Sequence, residues 1–361
     1  MANATLKLKE FPMQPRLNEK PLSPFTGVVI LALVAIIGFA YVKWVPYYAK
    51  AFLAQSHHAI GDSILSGKSA SAPPASWNAA ADYAMAYGKA IWQALVLGLV
   101  LGSGIKVLLP NQWVNAVLGR LGFRSVALGS LFAIPCMMCT CCAAPLAVGM
   151  RQSRASVGSV VSWWMSNPVL NPATLVFMGF VLGWGWVLFR IVFGIAMVLG
   201  VAYLAERYAG PHEAVTLDQG LTPDVESSKG SFLVRWLREF TALTIRLVPE
   251  YLVLVLLLGA ARVWLFPVLD AHDGIVWIVA MAVAGTLFVI PTAGEVPIVQ
   301  AMFALGMGAG PAGALIMTLP AVSLPSLAML GRVFSLRTRL VIATGVALSG
   351  IVAGLIAMIV F

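Results

Sequence analysis

Charged side chains are scarce in this sequence: Asp, Glu, Lys and Arg make up 10% of 361 residues, and only 14 residues are acidic. A soluble domain carries about 25% charged residues, because it has a water-facing surface to cover. So little charge, with 60% hydrophobic residues and a mean hydropathy of +0.91, excludes a soluble enzyme and a disordered chain. Cysteine is absent except between Cys136 and Cys142, where all four lie. A secreted disulfide scaffold spreads its cysteines to staple distant segments, so that class is excluded too. No Walker loop, HExxH or dinucleotide fingerprint stands in a fitting context, which argues against an ATP-driven pump within this chain.

What is present is long apolar runs, which place the chain among polytopic helical membrane proteins in contact with a lipid bilayer. The net charge of +9 is not a nucleic-acid footprint. The basic residues sit at the ends of apolar runs, as the positive-inside rule demands, and form no stripe with interleaved aromatics.

The runs cover about 26–46, 90–109, 126–150, 155–181, 184–205, 247–266, 275–291, 296–309, 311–331 and 340–361. Residues 1–25 read as a cytoplasmic tail and 26–46 as an N-terminal transmembrane helix. Lys43, Trp44 and Pro46 follow that run in place of a small-residue cleavage site, so it reads as an uncleaved anchor. Residues 47–87 read as an external loop, in which His57 and His58 are too few to hold a metal. Residues 206–240 form a charged cytoplasmic linker whose end, 232–247, suits an amphipathic helix on the membrane.

The chain repeats itself. Leu95-Val-Leu-Gly-Leu-Val-Leu-Gly102 resembles Leu252-Val-Leu-Val-Leu-Leu-Leu-Gly259, and Leu131-Phe-Ala-Ile-Pro135 resembles Leu287-Phe-Val-Ile-Pro291. Asn167-Pro168-Val-Leu-Asn171-Pro172 resembles Leu319-Pro320-Ala-Val-Ser323-Leu-Pro325, in the same order. Two permease repeats follow, 88–205 and 241–361. Placing Lys7–Lys20, Arg120, Arg124, Arg151, Arg154, 206–246 and Arg332–Arg339 inside leaves roughly three quarters of the basic residues cytoplasmic. That placement requires 126–150 to dip into the membrane and return, and 275–309 to do so from the other side. The expected fold is therefore all-α, with two inverted-topology repeats, broken or re-entrant hairpins and an extra N-terminal helix. It has about seven full spans in a bacterial-type inner membrane, with the N-terminus cytoplasmic. A rival arrangement with nine or ten spanning helices leaves Arg151 and Arg154 outside.

Three segments carry candidate chemistry. Pro135-Cys136-Met-Met-Cys139-Thr-Cys141-Cys142 is flanked by prolines that expose backbone at membrane depth. Cys136 and Cys139 share a face if that segment is helical, and soft thiolates suit Cu(I), Zn or thiophilic metalloids, so the two form a candidate metal pair. The same thiols also suit plain packing. Asn167 and Asn171 each precede a proline, Pro168 and Pro172, where a helix breaks and amides offer uncharged polar contacts. Their alternative role is to satisfy freed backbone groups. Thr292-Ala-Gly294-Glu295-Val-Pro297 places an acid inside an apolar stretch, a proton-relay candidate or a first-turn carboxylate favoured by the helix dipole. Glu250 is a weaker candidate of the same kind. Arg190 lies inside an apolar run and requires a partner.

At these residues the sequence resembles the predicted permease family that includes the organoarsenical efflux permease ArsP and YraQ-like proteins. The likeness runs through Pro135-Cys136, Pro145-Leu-Ala-Val-Gly149-Met150, Ala155-Ser-Val-Gly158 and Ser166-Asn167-Pro168-Val-Leu-Asn171-Pro172. It returns in Gly294-Glu295-Val-Pro297, Gly310-Pro-Ala-Gly313 and Pro320-Ala-Val-Ser323-Leu-Pro325. It covers about 88–361 and leaves out 1–87. Cys139, Cys141 and Cys142 exceed the family pattern. The resemblance implies a secondary transporter, not an enzyme, that exports a thiol-reactive metalloid such as trivalent methylarsenite. Its expected substrate path takes in Cys136–Cys142, Asn167, Pro168, Asn171, Pro172, Pro297, Pro320 and Ser323. No cofactor is required, the coupling ion is expected to be a proton, and homo-oligomerisation is left open. Two rival readings stand beside it: a membrane thiol oxidoreductase using the cysteine cluster, and a small-solute channel.

Overall fold

The computed structural model describes residues 24–65, 73–109, 111–209, 232–266 and 274–361. Nearly all of the expected tail and residues 210–231 of the expected linker lie outside them. The described chain is a bundle of helices, six of them long and apolar enough to cross a membrane.

The first of these is longer than expected. Helix α1 (Pro24–Phe39) passes through a π-helical turn, Ala40–Trp44, into α2 (Val45–His57). Pro46 does not stop it. Proline lacks an N–H and clashes with the carbonyl four residues back, and the wider π turn absorbs both defects. The helix ends where His58 turns left-handed at φ 50° and its N–H bonds Ala54 O at 3.0 Å. Residues 47–57 are thus helix, not external loop. The next helix, α3 (Trp77–Leu108), starts ten residues or so earlier than a loop to 87 allows, because the Ser76 side chain caps Ala79 N at 3.1 Å.

Five shorter elements and one long helix complete the first half: α4 (Asn111–Leu118), α5 (Phe123–Ala133), α6 (Thr140–Gln152), α7 (Val157–Val169), α8 (Pro172–Val181) and α9 (Trp184–Tyr208). The second half holds α10 (Phe232–Leu265), α11 (Ile275–Leu287), α12 (Glu295–Ala304), α13 (Ala309–Ala321), α14 (Leu324–Met329) and α15 (Leu336–Val360). Helix α10 runs 34 residues unbroken through Pro249, so the surface helix expected over 232–247 and the span after it are one element. The pair Gln112–Leu118 and Phe123–Cys136 bends by 105°.

The order of elements recurs. Helices α3, α5, α6, α7, α8 and α9 are matched in turn by α10 to α15: a long helix, a broken pair, a second broken pair, and a closing helix of 25 residues in each half. Packing recurs with it. Helix α5 lies on α7 as α11 lies on α13, and α7 lies on α9 as α13 lies on α15. Like also meets like across the halves, α3 on α10, α7 on α13 and α9 on α15. The limbs of the 126–150 segment separate: α5 packs chiefly on α7, and α6 on α3 and α7.

Burial sorts the helices by role. Every residue of α7 is buried, and 89% of the apolar window of Ala309–Arg332 is buried, against 11% for the N-terminal helix. Helices apolar all round belong at the centre of a bundle or in lipid. The broken helices therefore form the centre, and the N-terminal helix lies along the outside.

Helix α6 reaches the centre by lying backbone to backbone against α3. A Cβ at Gly98 would run into Cys142 O, one at Gly102 into Pro145 O, and one at Gly149 into Gly102 O. Small residues allow this approach in membranes. Gly102→Val is expected to lower the thermal unfolding midpoint in detergent, with a cost of about 1–3 kcal/mol from overpacking.

Candidate functional site

Two breaks in helical backbone face each other at the centre. In the first half, α5 ends in a 3₁₀ turn, Ile134–Cys136, and Met137 is left-handed at φ 51° before α6 begins. In the second, α11 ends at Leu287 and Ala293 is left-handed at φ 66° before α12. Both are non-glycine residues in a strained conformation, each in the break before a short helix.

Irregular backbone at membrane depth must be satisfied by protein, and here side chains from other helices do it. Trp44 Nε1 donates to Pro135 O at 2.8 Å, and Trp164 Nε1 to Thr140 O at 2.8 Å. Tyr83 donates its hydroxyl to Val289 O in the second break. Asn167 binds both ways: Nδ2 donates to Trp163 O at 2.9 Å, and Oδ1 accepts Met138 N at 3.4 Å. The expected polar role of Asn167 takes the form of a tie between the first break and α7.

Arg190 supplies the strongest tie. It is 0% exposed, in α9, and its Nε and Nη2 donate to Val169 O at 2.9 Å and Pro168 O at 2.8 Å. These are carbonyls at the α7 end, where Pro168 and Pro172 interrupt the helix. Its Nη1 meets Glu295 Oε1 at 2.7 Å, and Glu295 is 1% exposed at the start of α12. The partner that Arg190 requires is thus the acid of the opposite half. A charge in lipid is tolerated when paired in the bundle interior.

The cysteines divide among three places. Cys136 Sγ turns to Phe132 O at 3.5 Å. Cys139 and Cys142 bring their sulfurs to 3.0 Å. Cys141 Sγ lies 3.6 Å from Ser323 Oγ, across the boundary between halves. The pairing of Cys136 with Cys139 on one helical face is corrected: Pro135, the 3₁₀ turn and left-handed Met137 separate them, and Cys139 pairs one turn onward. Among the described residues no group of three or more His, Cys, Asp or Glu side chains is placed to hold a metal.

Between the breaks is a cavity of about 10 Å³, barely room for one water, lined by Cys139, Thr140, Pro168, Thr292, Glu295 and Pro320 with their neighbours. All six lie in segments singled out from sequence; Thr140 belongs to the cysteine segment, Thr292 opens the acidic one, and Pro320 lies in the second-half match to the asparagine-proline segment. Asn171 is the N-cap of α8 and not part of the cavity wall, with Oδ1 accepting Ala173 N at 3.0 Å and Thr174 N at 3.3 Å, and its Nδ2 is buried without a partner among the described residues. Ser323 joins Ser326 in capping α14. Pro172 opens α8, and Pro297 lies inside α12, outside the cavity wall. Glu250 is corrected as a central acid: it forms a surface pair with Arg332 at 3.5 Å, both about 40% exposed.

Sequence reasoning missed Lys43. It is 4% exposed in the π-helical turn, with Nζ donating to Thr292 Oγ1 at 3.0 Å and to Tyr47 Oη at 3.2 Å. The available signal was a lysine within a run that stays apolar past Pro46.

Fold and site together define a multi-pass helical membrane protein of the transporter class. The chain belongs to the ArsP_1 family, described as a predicted permease, whose profile matches residues 25–168 and 91–359. It is 52% identical over 329 residues to the UPF0718 protein YraQ of Escherichia coli strain K12, covering 91% of this chain and 93% of that one. It is 22% identical over 311 residues to the UPF0718 protein MJ0584 of Methanocaldococcus jannaschii, covering 66% of this chain and 84% of the other. No solved structure is significantly similar. The family match reaches back to residue 25, so the N-terminal helix with Lys43 belongs to it, contrary to the expected start near 88.

Proposed function

We propose that the chain is a secondary transporter exporting a thiol-reactive metalloid species, such as a trivalent organoarsenical, across a bacterial cytoplasmic membrane. The observation that carries this reading is the small cavity walled by both broken segments, with Cys139 from one half and Glu295 from the other. Soft sulfur ligands recognise soft atoms. The two halves, inverted relative to each other and with the N-terminus inside, rock about this point to open it to each side. Glu295 carries the coupling proton by leaving Arg190 during that motion.

The test is cellular arsenic content in a detoxification-deficient bacterial host loaded with methylarsenite. Wild type is expected to lower arsenic below the vector control, and the variant with Cys139 and Cys142 changed to serine to lose that effect. Equal arsenic in wild type and vector, with membrane expression confirmed, contradicts the substrate assignment. A second reading, a thiol oxidoreductase, is favoured by the 3.0 Å approach of Cys139 and Cys142. It predicts a trapped mixed disulfide with a thioredoxin-like partner. Against it, the second half has no cysteine to continue a relay.

A further inference from the structure

The buried cations of this protein are not compensated alike. Arg190 has Glu295 at 2.7 Å. Lys43, equally deep, has only two neutral hydroxyls, and no carboxylate among the described residues pairs with it. A buried ammonium without counter-charge is costly, and proteins retain such groups where a charge is to be met. The Arg190 and Glu295 charges cancel, and the other buried cation beside the cavity is Lys43, which faces the Cys139 and Cys142 thiols.

The hydroxyl between Lys43 and the cavity is set to transmit that charge. Thr292 Oγ1 accepts from Lys43, so its own O–H points as a donor into the cavity it lines, where Cys139 Sγ is within its reach. The helix ends agree. Helices α6 and α12 begin at the cavity, at Thr140 and Glu295, and neither has a side-chain cap, whereas Asn171 caps α8 and Ser323 with Ser326 closes α14. Uncapped N-termini carry partial positive charge, and the open N–H groups belong mainly to α6, because in α12 Val296 N bonds Ala293 O and Pro297 has no N–H.

We propose that Lys43 and Thr292, with Tyr47 holding the ammonium in place, form an anion subsite on the cavity wall, and that the species taken there is a small oxyanion of a soft element. The soft atom faces Cys139 and a charged oxygen faces the Thr292 hydroxyl. The N-terminal helix is then part of the binding site and not only an anchor. This subsite rests on the reading of the cavity as the transport site. It extends the substrate class from neutral thiol-reactive species such as methylarsenite to oxyanions of soft elements.

The test compares two pyramidal oxo-species that differ in charge: sulfite, an anion at neutral pH, and arsenous acid, which is neutral there. Binding of each is measured calorimetrically on the purified full-length protein as wild type, Lys43→Arg, Lys43→Gln and Thr292→Val. Sulfite is expected to bind wild type saturably. Lys43→Gln should weaken it by about tenfold or more, and Thr292→Val should also weaken it. Lys43→Arg should hold it within about threefold, since the charge is kept. Arsenous acid should change little in all variants. No saturable sulfite binding to wild type overturns the proposal. So does equal sulfite affinity in Lys43→Gln, or an equal loss for both probes in Lys43→Gln and Thr292→Val, which marks a structural role. Failure of arsenous acid to bind wild type counts against the metalloid reading alone, because the sulfite series stands without it.

Discussion

Arg190→Leu is expected to prevent accumulation of folded protein in the membrane. The change strands the Glu295 carboxylate, 1% exposed, without its 2.7 Å partner. Breaking a buried pair on one side costs about 3–5 kcal/mol. It also strips Val169 and Pro168 of the donors that satisfy their carbonyls at the α7 end. The double variant Arg190→Leu with Glu295→Leu removes both charges, and an apolar pair of similar volume is often neutral relative to the ion pair. Folding should therefore recover, short of wild type by about 1–3 kcal/mol for the two carbonyls. Thermal unfolding of the detergent-solubilised wild type, single and double variants closes the cycle. A single variant within about 1 kcal/mol of wild type contradicts the account of this tie. In proteoliposomes the folded double variant is expected to lose its response to an imposed pH gradient, because the proposed function assigns the coupling proton to the Glu295 carboxylate.

Asn171→Ser is expected to fold normally and to transport at least about tenfold more slowly, a barrier change of about 1.4 kcal/mol. The carboxamide does two separable things. Its oxygen caps α8 through Ala173 N and Thr174 N, and its Nδ2 is buried with no partner among the described residues. Serine caps a helix as well as asparagine does, so stability should stay within about 0.5 kcal/mol. It cannot supply the N–H₂ donor. An unpartnered buried donor is retained at a cost unless something else binds it, and the proposed function assigns that part to the passing substrate or its hydration water. Unfolding midpoints and initial rates of methylarsenite uptake into inverted vesicles separate the two roles. Unchanged transport in a stable Asn171→Ser variant would assign Asn171 to capping alone.

Much of this arrangement was legible in the sequence, and the parts that were not share a cause. Proline and asparagine pairs mark helix breaks by local sterics, so Asn167-Pro168, Asn171-Pro172 and Pro320 announced the α7 to α8 and α13 to α14 breaks. The ordered matches between halves announced the recurring element order. Pro46 misled because a π turn, which depends on how the helix packs, removes the usual penalty. With the helix ended at Pro46, Lys43 read only as a residue at the end of the anchor; once the helix continues to His57, the same residue lies in its middle and turns inward. The Cys136 and Cys139 spacing misled because it assumed helix, and Pro135 with left-handed Met137 replaces it with a turn. Arg190 and Glu295 were each visible as charges in apolar runs. Their union was not, because only tertiary packing brings α9 onto the start of α12.

The central claim is that the cavity between the two breaks opens alternately to the two sides of the membrane. The most direct measurement labels a variant that keeps Cys139 and has serine at 136, 141 and 142. A membrane-impermeant thiol reagent is applied to right-side-out and to inverted vesicles, with and without methylarsenite. The account predicts labelling from both sides, at rates that methylarsenite slows on each. A Cys139 that reacts from neither side, although it reacts once the protein is unfolded, would make the cysteine cluster a packing element and contradict the claim.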